Sequence, residues 1–236
     1  MVPIIADDAI LYPAATLRVR FRKTGALQYI SHLDLVRTFE KVLVRAGLPL
    51  WYSEGFNPHP RFSFSTPMSI GLESLYELMD VKIEKKVNCE AVKEALNRNL
   101  TAECVVEEVY YPDTKFTDIS LASYEIVLQT AGADEALAEK CGAALRRSPV
   151  TVLKRTKSGE KETDISPMII KSEASFAEGK ILLAVTLTVD NEKFLNPEYI
   201  VTYLKETLGV LSGSPLEEAY SILRTGLYGK SGELFR

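Results

Sequence analysis

The chain is poor in cysteine and histidine: its 236 residues include three cysteines and two histidines. The thiols, at Cys89, Cys104 and Cys141, are too few and too scattered for a disulfide framework or a thiolate metal site. We expect them to be reduced and partly buried.

Long apolar runs are also absent. No stretch approaches the ~20 residues needed to cross a bilayer, although 46% of the residues are hydrophobic. The segment before residue 16 contains two aspartates and no basic residue, which is the wrong pattern for a secretory signal. We therefore expect a cytoplasmic protein without a membrane anchor, whose residues 1–15 form a loosely held N-terminal extension.

Positive charge is slightly outnumbered overall but locally concentrated. The chain has 28 Lys+Arg against 32 Asp+Glu, a net charge of −4. Between residues 16 and 66, however, eight basic residues stand against three acidic ones. A basic segment inside an acidic chain predicts a local anion site rather than a diffuse nucleic-acid coat.

Hydrophobic periodicity in the first half changes between strand and helix patterns. Residues 17–22 alternate apolar and arginine side chains, which predicts a strand with one buried face and one arginine-bearing face. Further patterns predict a helix from Ser31 to before Gly47, strands at 61–66, 78–84 and 104–110, and a helix at 89–100. This β-α-β-β-α-β order is typical of a four-stranded antiparallel sheet with two helices on one face, the ferredoxin-like pattern.

The second half nearly repeats this order. We assign residues 112–122 to a polar linker between a first half, residues 16–111, and a second half, residues 123–236. The second half is predicted to contain strand 124–129, helix 134–147, a basic hairpin 150–165, strand 181–189, helix 197–208 and strand 219–227. The expected fold is α+β: two tandem ferredoxin-like (βαββαβ) halves, antiparallel sheets with helices on one face, with one hairpin strand in excess.

The first candidate motif surrounds the start of the first long helix. Ser31 is a suitable N-cap and Asp34 follows it at nearly capping-box spacing, so His32 falls in the first turn. Free backbone N–H groups there favour an anion, beside which a neutral His32 could donate a hydrogen bond or act as a general base. The helix continues with a basic stripe at every fourth position: Arg37, Lys41 and Arg45. Ordinary capping and a solvated charged face are the structural alternative.

The second candidate motif is the SEGFNPHP loop, residues 53–60. Gly55 permits unusual backbone angles, and Pro58 and Pro60 stiffen the chain on either side of His59, so the loop side chains are presented at fixed angles. Phe56 could stack on a base and Asn57 could hydrogen-bond its edge. A tight turn with a buried Phe56 is the structural alternative.

Both histidines lie in these two motifs, and we expect the motifs to meet in one positively charged recess. The predicted anion- or RNA-binding residues are Lys23, Ser31, His32, Asp34, Arg37, Lys41, Arg45, Phe56, Asn57, His59 and Arg61. A metal held by the histidines is disfavoured because the neighbouring arginines would repel a cation, so we expect no metal and no other cofactor. The basic hairpin tip at 153–161 could also grip phosphate, although a charged tip is usually just solvated.

Several segments of the first half match a known pattern: RFRKTG (20–25), YISHLDL (29–35), RAGLP (45–49), SEGFNPHP (53–60) and residues 71–77. They resemble the radical-SAM-linked domain family of unknown function. Members of that family are fused to, or encoded beside, B12-binding-type radical SAM proteins, often near ribonuclease E/G genes. The resemblance implies a setting, with a radical SAM enzyme as partner, and no reaction.

From the residues and this resemblance we expect a noncatalytic binding module that presents RNA or another anionic substrate to a partner radical SAM enzyme. The chain has no CxxxCxxC cluster and cannot by itself ligate a radical SAM iron–sulfur cluster. One alternative is a metal-independent endoribonuclease that uses His32 or His59, which rests on fold analogy with CRISPR RNA-processing enzymes. Another is a small-molecule or cofactor-binding domain with a concave pocket between the two motifs.

Overall fold

The computed structural model describes residues 3–156, 159–190 and 192–236. The chain divides into two compact units: the first unit is Met1–Phe116 with Arg236, and the second unit is Thr117–Phe235. The division after residue 116 falls within the predicted linker, 112–122. Over the described residues, every helix is too short or too polar to span a membrane.

The first unit has the predicted β-α-β-β-α-β order. Its elements are β1 (Ile5–Lys23), α1 (His32–Arg45), β2 (Phe62–Phe64), β3 (Leu72–Val87), α2 (Cys89–Asn97) and β4 (Cys104–Tyr110). The sheet order is β4-β1-β3-β2, and each neighbouring pair of strands is antiparallel. The short β2 lies at the edge beside β3.

One face of this sheet packs against the helices. Alternate residues of β1 are fully buried, as expected for a strand with one apolar face. The apolar positions of α1 that follow helical spacing are buried against the same core: Leu35, Phe39, Val42 and Leu43. Each such side chain contributes about 1.5–3 kcal/mol on burial, so the hydrophobic stripe holds α1 on the sheet.

The beginning of β1 differs from the prediction. Residues 5–15, expected to form a loose extension, belong to the strand and pair with the end of β3, for example Ile5 with Val87 and Ile10 with Lys85. The register shifts several times along this part, and most of its side chains are exposed. The segment therefore lacks the strict apolar alternation from which a strand is predicted.

The second unit also combines an antiparallel sheet with helices. Its elements are β5 (Ile119–Gln129), α3 (Glu135–Leu145), β6 (Thr151–Thr156), β7 (Gly159–Asp164), β8 (Ile169–Ala177), β9 (Lys180–Thr188), α4 (Glu198–Leu208) and β10 (Ala219–Gly229). The sheet order is β10-β5-β9-β8, whereas β6 and β7 form a separate two-stranded sheet. The protein is thus a mixed α+β fold with antiparallel sheets.

The strand count of the second half needs one correction. The sequence pattern predicts no strand at the position of β8 and one hairpin strand in excess. In the structure, the hairpin stands apart from the main sheet, and β8 pairs with β9. Exposed charged residues such as Lys171 and Glu173 lie along β8, and polar edge strands of this kind carry a weak hydrophobic signal.

Candidate functional site

The start of α1 is capped as predicted. Ser31 Oγ accepts a hydrogen bond from the Asp34 N–H at 3.1 Å, and the Ser31 hydroxyl donates to the Asp34 carboxylate at 2.7 Å. His32 is the first residue of the helix, and its ring lies edge-on to Phe64 with the centroids 5.4 Å apart. Asp34 also forms an exposed ion pair with Arg37 at 3.5 Å. Its carboxylate therefore interacts with residues of the same helix and its cap.

The cavity beside His32 cannot hold a ligand. Its volume is about 10 Å³, at the lower limit for a single water molecule. Lys23 lines it with only 5% of its surface exposed, and its Nζ donates to the carbonyls of Leu27 and Leu72, each at 3.2 Å. Lys23 therefore does not lie on the exposed basic surface that the sequence analysis predicted for it.

The cysteines are free and mostly buried, as expected. Burial, aided by the nearby Glu77 carboxylate and opposed by Lys23, raises the pKa of the Cys104 thiol to about 12. Burial also raises the pKa of Cys141 to about 11. Both thiols are thus protonated at neutral pH and unsuited to nucleophilic chemistry.

The α1 stripe, Arg37, Lys41 and Arg45, is exposed along the whole helix. Because residues four positions apart lie on one helical face, the three charges form a single row on the side of α1 that faces away from the core. Leu33 precedes them at the same spacing and is also exposed.

The SEGFNPHP loop is closed at its base by paired backbone hydrogen bonds. Ser53 N–H donates to the His59 carbonyl at 2.9 Å, and Arg61 N–H donates to the Trp51 carbonyl at 2.9 Å. Ser53 Oγ also accepts the His59 N–H at 3.1 Å and lies 2.9 Å from His59 Nδ1. The side chain of His59 is thereby fixed through Nδ1.

Phe56 lies near the middle of the loop and is wholly exposed, at 106% of its reference surface. The alternative in which Phe56 is buried in a tight turn is therefore wrong. The neighbouring Asn57 is exposed as well. An aromatic ring held fully in water by a closed loop is available to a binding partner.

A cleft of about 650 Å³, here called the first cleft, opens in the first unit. Its walls are formed by the end of the loop at His59 and Arg61, by Asp80 and Lys82 of β3, and by residues 112–116. This volume lies within the range of ligand sites in proteins, about 300–1,000 Å³.

Positive side chains predominate in the first cleft. Arg61, Lys82 and Lys115 line it together with two carboxylates, Asp80 and Asp113. The Arg61 guanidinium lies over the Trp51 ring at 5.1 Å. Lys82 Nζ donates to Thr16 Oγ1 at 2.6 Å, so both cations are positioned by neighbours that leave their charge intact.

The buried Arg18 neutralises one of the two carboxylates, Asp80. It is fully buried, and its Nε and Nη2 donate to the two oxygens of Asp80 at 2.7 and 2.8 Å. Nη1 donates to Thr114 Oγ1 at 2.7 Å, and the guanidinium lies 4.5 Å from the centroid of the Phe116 ring. One side chain therefore cancels the charge of Asp80 and ties the 112–116 wall to the sheet.

This role of Arg18 is not among the predictions from the sequence, although the sequence contains a signal for it. Arg18 and Asp80 are direct partners in the antiparallel register of β1 and β3. Facing residues of opposite charge on neighbouring strands attract one another. The pairing could have been found by aligning the two predicted strands.

The structure does not gather the predicted residues in one recess. His59 and Arg61 line the first cleft, whereas Ser31 and His32 line the small cavity. Successive strand residues face opposite sides of a sheet: in β3, Asp80 and Lys82 line the first cleft, whereas Met79 and Val81 are buried in the core with α1. In β2, Ser63 pairs with Asp80 and Phe64, which contacts His32, pairs with Met79. The two motifs therefore lie on opposite sides of this strand.

The predicted basic hairpin is formed by β6 and β7. Residues 157 and 158, at its tip, lie outside the described part of the chain. Lys154 donates to the Phe194 carbonyl at 3.4 Å and lies 5.5 Å from the Tyr199 ring centroid. Burial lowers the pKa of Lys154, so this lysine packs against its own unit.

Within the described ranges, His, Cys, Asp and Glu side chains form no group of three that could hold a metal ion.

Comparisons with known proteins give a family and no function. The model of a family described as "Uncharacterized protein conserved in bacteria (DUF2344)" matches residues 16–197. No curated protein matches the chain. A similar solved structure, "Crystal Structure of a Cbf5-Nop10-Gar1 Complex", has 9% identity and a TM-score of 0.47, with 95% of this chain and 57% of that chain covered. An unknown protein from Galdieria sulphuraria has 12% identity and a TM-score of 0.26, with 89% and 98% covered. The chain thus spans little more than half the length of the first, and neither value supports an argument.

Proposed function

We propose a function for this chain, which belongs to the DUF2344 family of uncharacterized bacterial proteins, from the geometry of its first cleft. The protein is a noncatalytic binding module that holds single-stranded RNA in the first cleft and presents it to a partner radical SAM enzyme. The observation that carries the proposal is a wholly exposed Phe56 on the loop whose end lines a cleft with three cations.

The fold of each unit fits a small binding module. In the first unit the strands follow the order fourth, first, third, second, and the main sheet of the second unit has the same order when the hairpin is set aside. We take both units to be ferredoxin-like on this basis. In such a fold the chemistry comes from the loops and faces rather than from the fold itself.

Phosphate binding is supported by the charges of the first cleft. Arg61, Lys82 and Lys115 present ammonium or guanidinium groups there, while Arg18 has already neutralised Asp80. Backbone phosphates are bound mainly by such side chains. A guanidinium stacked on Trp51 keeps its N–H edge available for a phosphate oxygen.

Recognition of an unpaired base is supported by the loop. A base that stacks on an exposed aromatic ring gains about 1–3 kcal/mol, and Phe56 offers both faces of its ring to solvent. Asn57 is exposed beside it and can hydrogen-bond a base edge. Single-stranded RNA combines the phosphates and the unstacked bases that these groups require.

The partner enzyme is proposed to contact the α1 stripe. Arg37, Lys41 and Arg45 are exposed on the helix, and the helix packs on the sheet face opposite to Asp80 and Lys82. The stripe can therefore bind an acidic protein surface while RNA occupies the first cleft. The sequence-based assignment of these residues to RNA itself stays a prediction.

The test is RNA binding by the Arg61→Gln/Lys82→Met double variant. We expect its affinity for a labelled 12-nucleotide RNA, measured by fluorescence anisotropy, to fall by at least about tenfold. The slope of log K against log salt should shrink by about 1.4, since each phosphate contact on a single strand contributes ~0.7. Arg98→Gln/Lys86→Met removes two exposed charges elsewhere in the first unit and should leave the slope unchanged. An equal loss in both double variants would contradict the proposal.

An endoribonuclease is the second candidate, and the position of His59 favours it. His59 lines the first cleft together with the three cations, and its Nδ1 is held by Ser53; such a histidine can move a proton at Nε2. Incubation of the labelled RNA with wild-type protein in EDTA distinguishes the two functions. Cleavage that disappears in His59→Gln establishes the enzyme and overturns the noncatalytic proposal; intact RNA supports the binding module.

A further inference from the structure

The second unit contains a cleft of its own, here called the second cleft, with a volume of about 700 Å³. It opens where the chain leaves α3 and where it returns to the sheet at β8. Residues 145–148 form one wall, and residues between 166 and 172 form the other. Nothing in the preceding proposal uses this cleft.

The lining of the second cleft is basic and hydroxylic. Arg146 and Arg147 come from the end of α3, Lys171 comes from β8, and the hydroxyls of Ser148 and Ser166 lie 3.3 Å apart. Among the described residues, no carboxylate lines this cleft. Cations and hydroxyls without a lining acid form an environment that suits a phosphate group.

Two carboxylates lie near this lining and are already engaged. Asp164 Oδ1 accepts hydrogen bonds from the N–H and the hydroxyl of Ser166, at 2.9 and 2.7 Å, and from the N–H of Val150 at 3.0 Å. Asp164 thus fixes Ser166 beside Ser148. Glu173 pairs with Lys171 at 3.0 Å, with both side chains about two-thirds exposed, and a pair so exposed exchanges readily for a competing anion.

Helix capping does not account for the whole cluster. Arginines at the C-terminal end of a helix interact favourably with its dipole, and this explains a basic pair at 146 and 147. Lys171 belongs to β8 and has no part in that effect. Lys171 therefore adds a positive charge that helix capping does not explain. Together with Arg146 and Arg147 it favours an anion in the second cleft.

The backbone also makes room for Arg146. Gly142 lies one turn earlier in α3, and a Cβ atom there would be 3.1 Å from Arg146 Nη1 and 3.2 Å from the Cβ of Ala174 in β8. Glycine inside a helix is less favourable than alanine. The Arg146 guanidinium therefore lies close against Gly142, where any larger residue would crowd it.

The two clefts occupy the same place in the element order of their units. In each unit, the connection between the first helix and the next strand of the main sheet contributes a wall: residues 46–61 in the first unit and 146–168 in the second. The SEGFNPHP loop lies in the first of these connections, and the β6–β7 hairpin lies in the second.

We propose that the second cleft is a phosphate-binding site, with Arg146, Arg147 and Lys171 as its cationic ligands and the Ser148 hydroxyl as a donor, while Ser166 is held beside Ser148 by its own hydrogen bond to Asp164. The phosphate group belongs either to an RNA backbone, in which case the inference rests on the proposed function, or to a free phosphorylated molecule. The chemistry of recognition is the same for both sources.

The test titrates inorganic phosphate into the full chain and follows the amide NMR signals of Ser148 and Ser166. In the wild-type protein we expect both signals to shift with phosphate. In Arg146→Ala/Arg147→Ala the Kd for phosphate should rise by at least about tenfold. The matched control, Lys140→Ala/Lys230→Ala, removes two exposed lysines and should leave the Kd within about twofold. Gly142→Ala keeps every charge but crowds the guanidinium, so it should raise the Kd by less than the double variant does.

Addition of the 12-nucleotide RNA then distinguishes the sources. Displacement of phosphate from the two serine amides assigns the site to the RNA backbone, and RNA that binds without displacing it assigns the site to a free phosphorylated molecule. Phosphate binding by a chain that does not bind RNA overturns the proposed function and supports this site. Unshifted amides in the wild type, or an equal Kd in the arginine double variant, overturn this inference.

Discussion

The two clefts show two ways to make a positive surface in an acidic protein. In the first cleft, carboxylates are part of the wall, and a buried arginine cancels one of them: Arg18 binds both oxygens of Asp80. In the second cleft, the described lining contains no acid, and exposed arginines supply the charge directly. The first arrangement depends on the core of its unit, whereas the second depends on the surface alone.

The two clefts also differ in what besides charge they offer. The first adjoins a loop with the wholly exposed Phe56, while the described lining of the second has hydroxyls and aliphatic side chains but no aromatic ring. An aromatic ring adds recognition of bases, whereas cations and hydroxyls alone recognise phosphate. The comparison therefore predicts that the first cleft distinguishes single-stranded RNA from other phosphate compounds. The second cleft should bind any accessible phosphate group.

The largest expected effect is a loss of unfolding free energy when the buried Arg18 beneath the first cleft is replaced. Arg18→Met leaves the partly buried Asp80 carboxylate without its partner, and loss of one member of a buried pair costs about 3–5 kcal/mol. We expect urea unfolding, followed by circular dichroism, to show a free energy of unfolding lowered by this amount. The double variant Arg18→Met/Asp80→Asn, which removes the stranded charge, should recover part of it.

The matched control for that variant lies in the second cleft. Arg147→Met removes an exposed arginine and should change the free energy of unfolding by no more than about 0.5 kcal/mol. Similar losses of unfolding free energy in Arg18→Met and Arg147→Met would contradict the inference that the first cleft depends on a buried arginine and the second only on exposed ones.

A smaller effect tests selectivity. Phe56→Ala removes the stacking platform and should weaken the binding of single-stranded RNA by about 1–3 kcal/mol, measured by fluorescence anisotropy. Binding of inorganic phosphate at the Ser148 and Ser166 amides should not change. Tyr12→Ala is the control, because Tyr12 is also almost wholly exposed, at 97%, but lies on β1. A comparable loss of RNA affinity in Tyr12→Ala would show that exposed aromatic surface alone accounts for binding.

Local patterns made part of this molecule predictable. The element order of the first unit follows from apolar periodicity and from stop signals such as Gly47. The cap at Ser31 follows from a side chain that satisfies backbone N–H groups three residues away. Both depend on residues within one or two helical turns of each other, where sequence alone carries the interaction.

What escaped prediction depends on contacts between distant segments. Arg18 binds Asp80 and Thr114, which are 62 and 96 residues further along the chain, and this contact makes an arginine part of the core. Lys23 is buried because two carbonyls from separate segments receive its ammonium. The strand β8 depends on pairing with β9 rather than on its own apolar pattern. A single sequence shows none of these pairings directly.

The smallest expected effect concerns the start of α1, where a substitution should lower stability without changing RNA affinity. Ser31→Ala removes the cap that Asp34 N–H uses, and loss of an N-cap costs about 1 kcal/mol of unfolding free energy. Because Ser31 and His32 line a cavity too small for a ligand and lie on the other side of β2 from Ser63, RNA affinity should stay within about twofold. Ser212→Ala, at an exposed position outside any helix, should change neither quantity. A loss of RNA affinity in Ser31→Ala that exceeds its loss of stability would restore the helix start to the binding site and end the assignment of RNA to the first cleft alone.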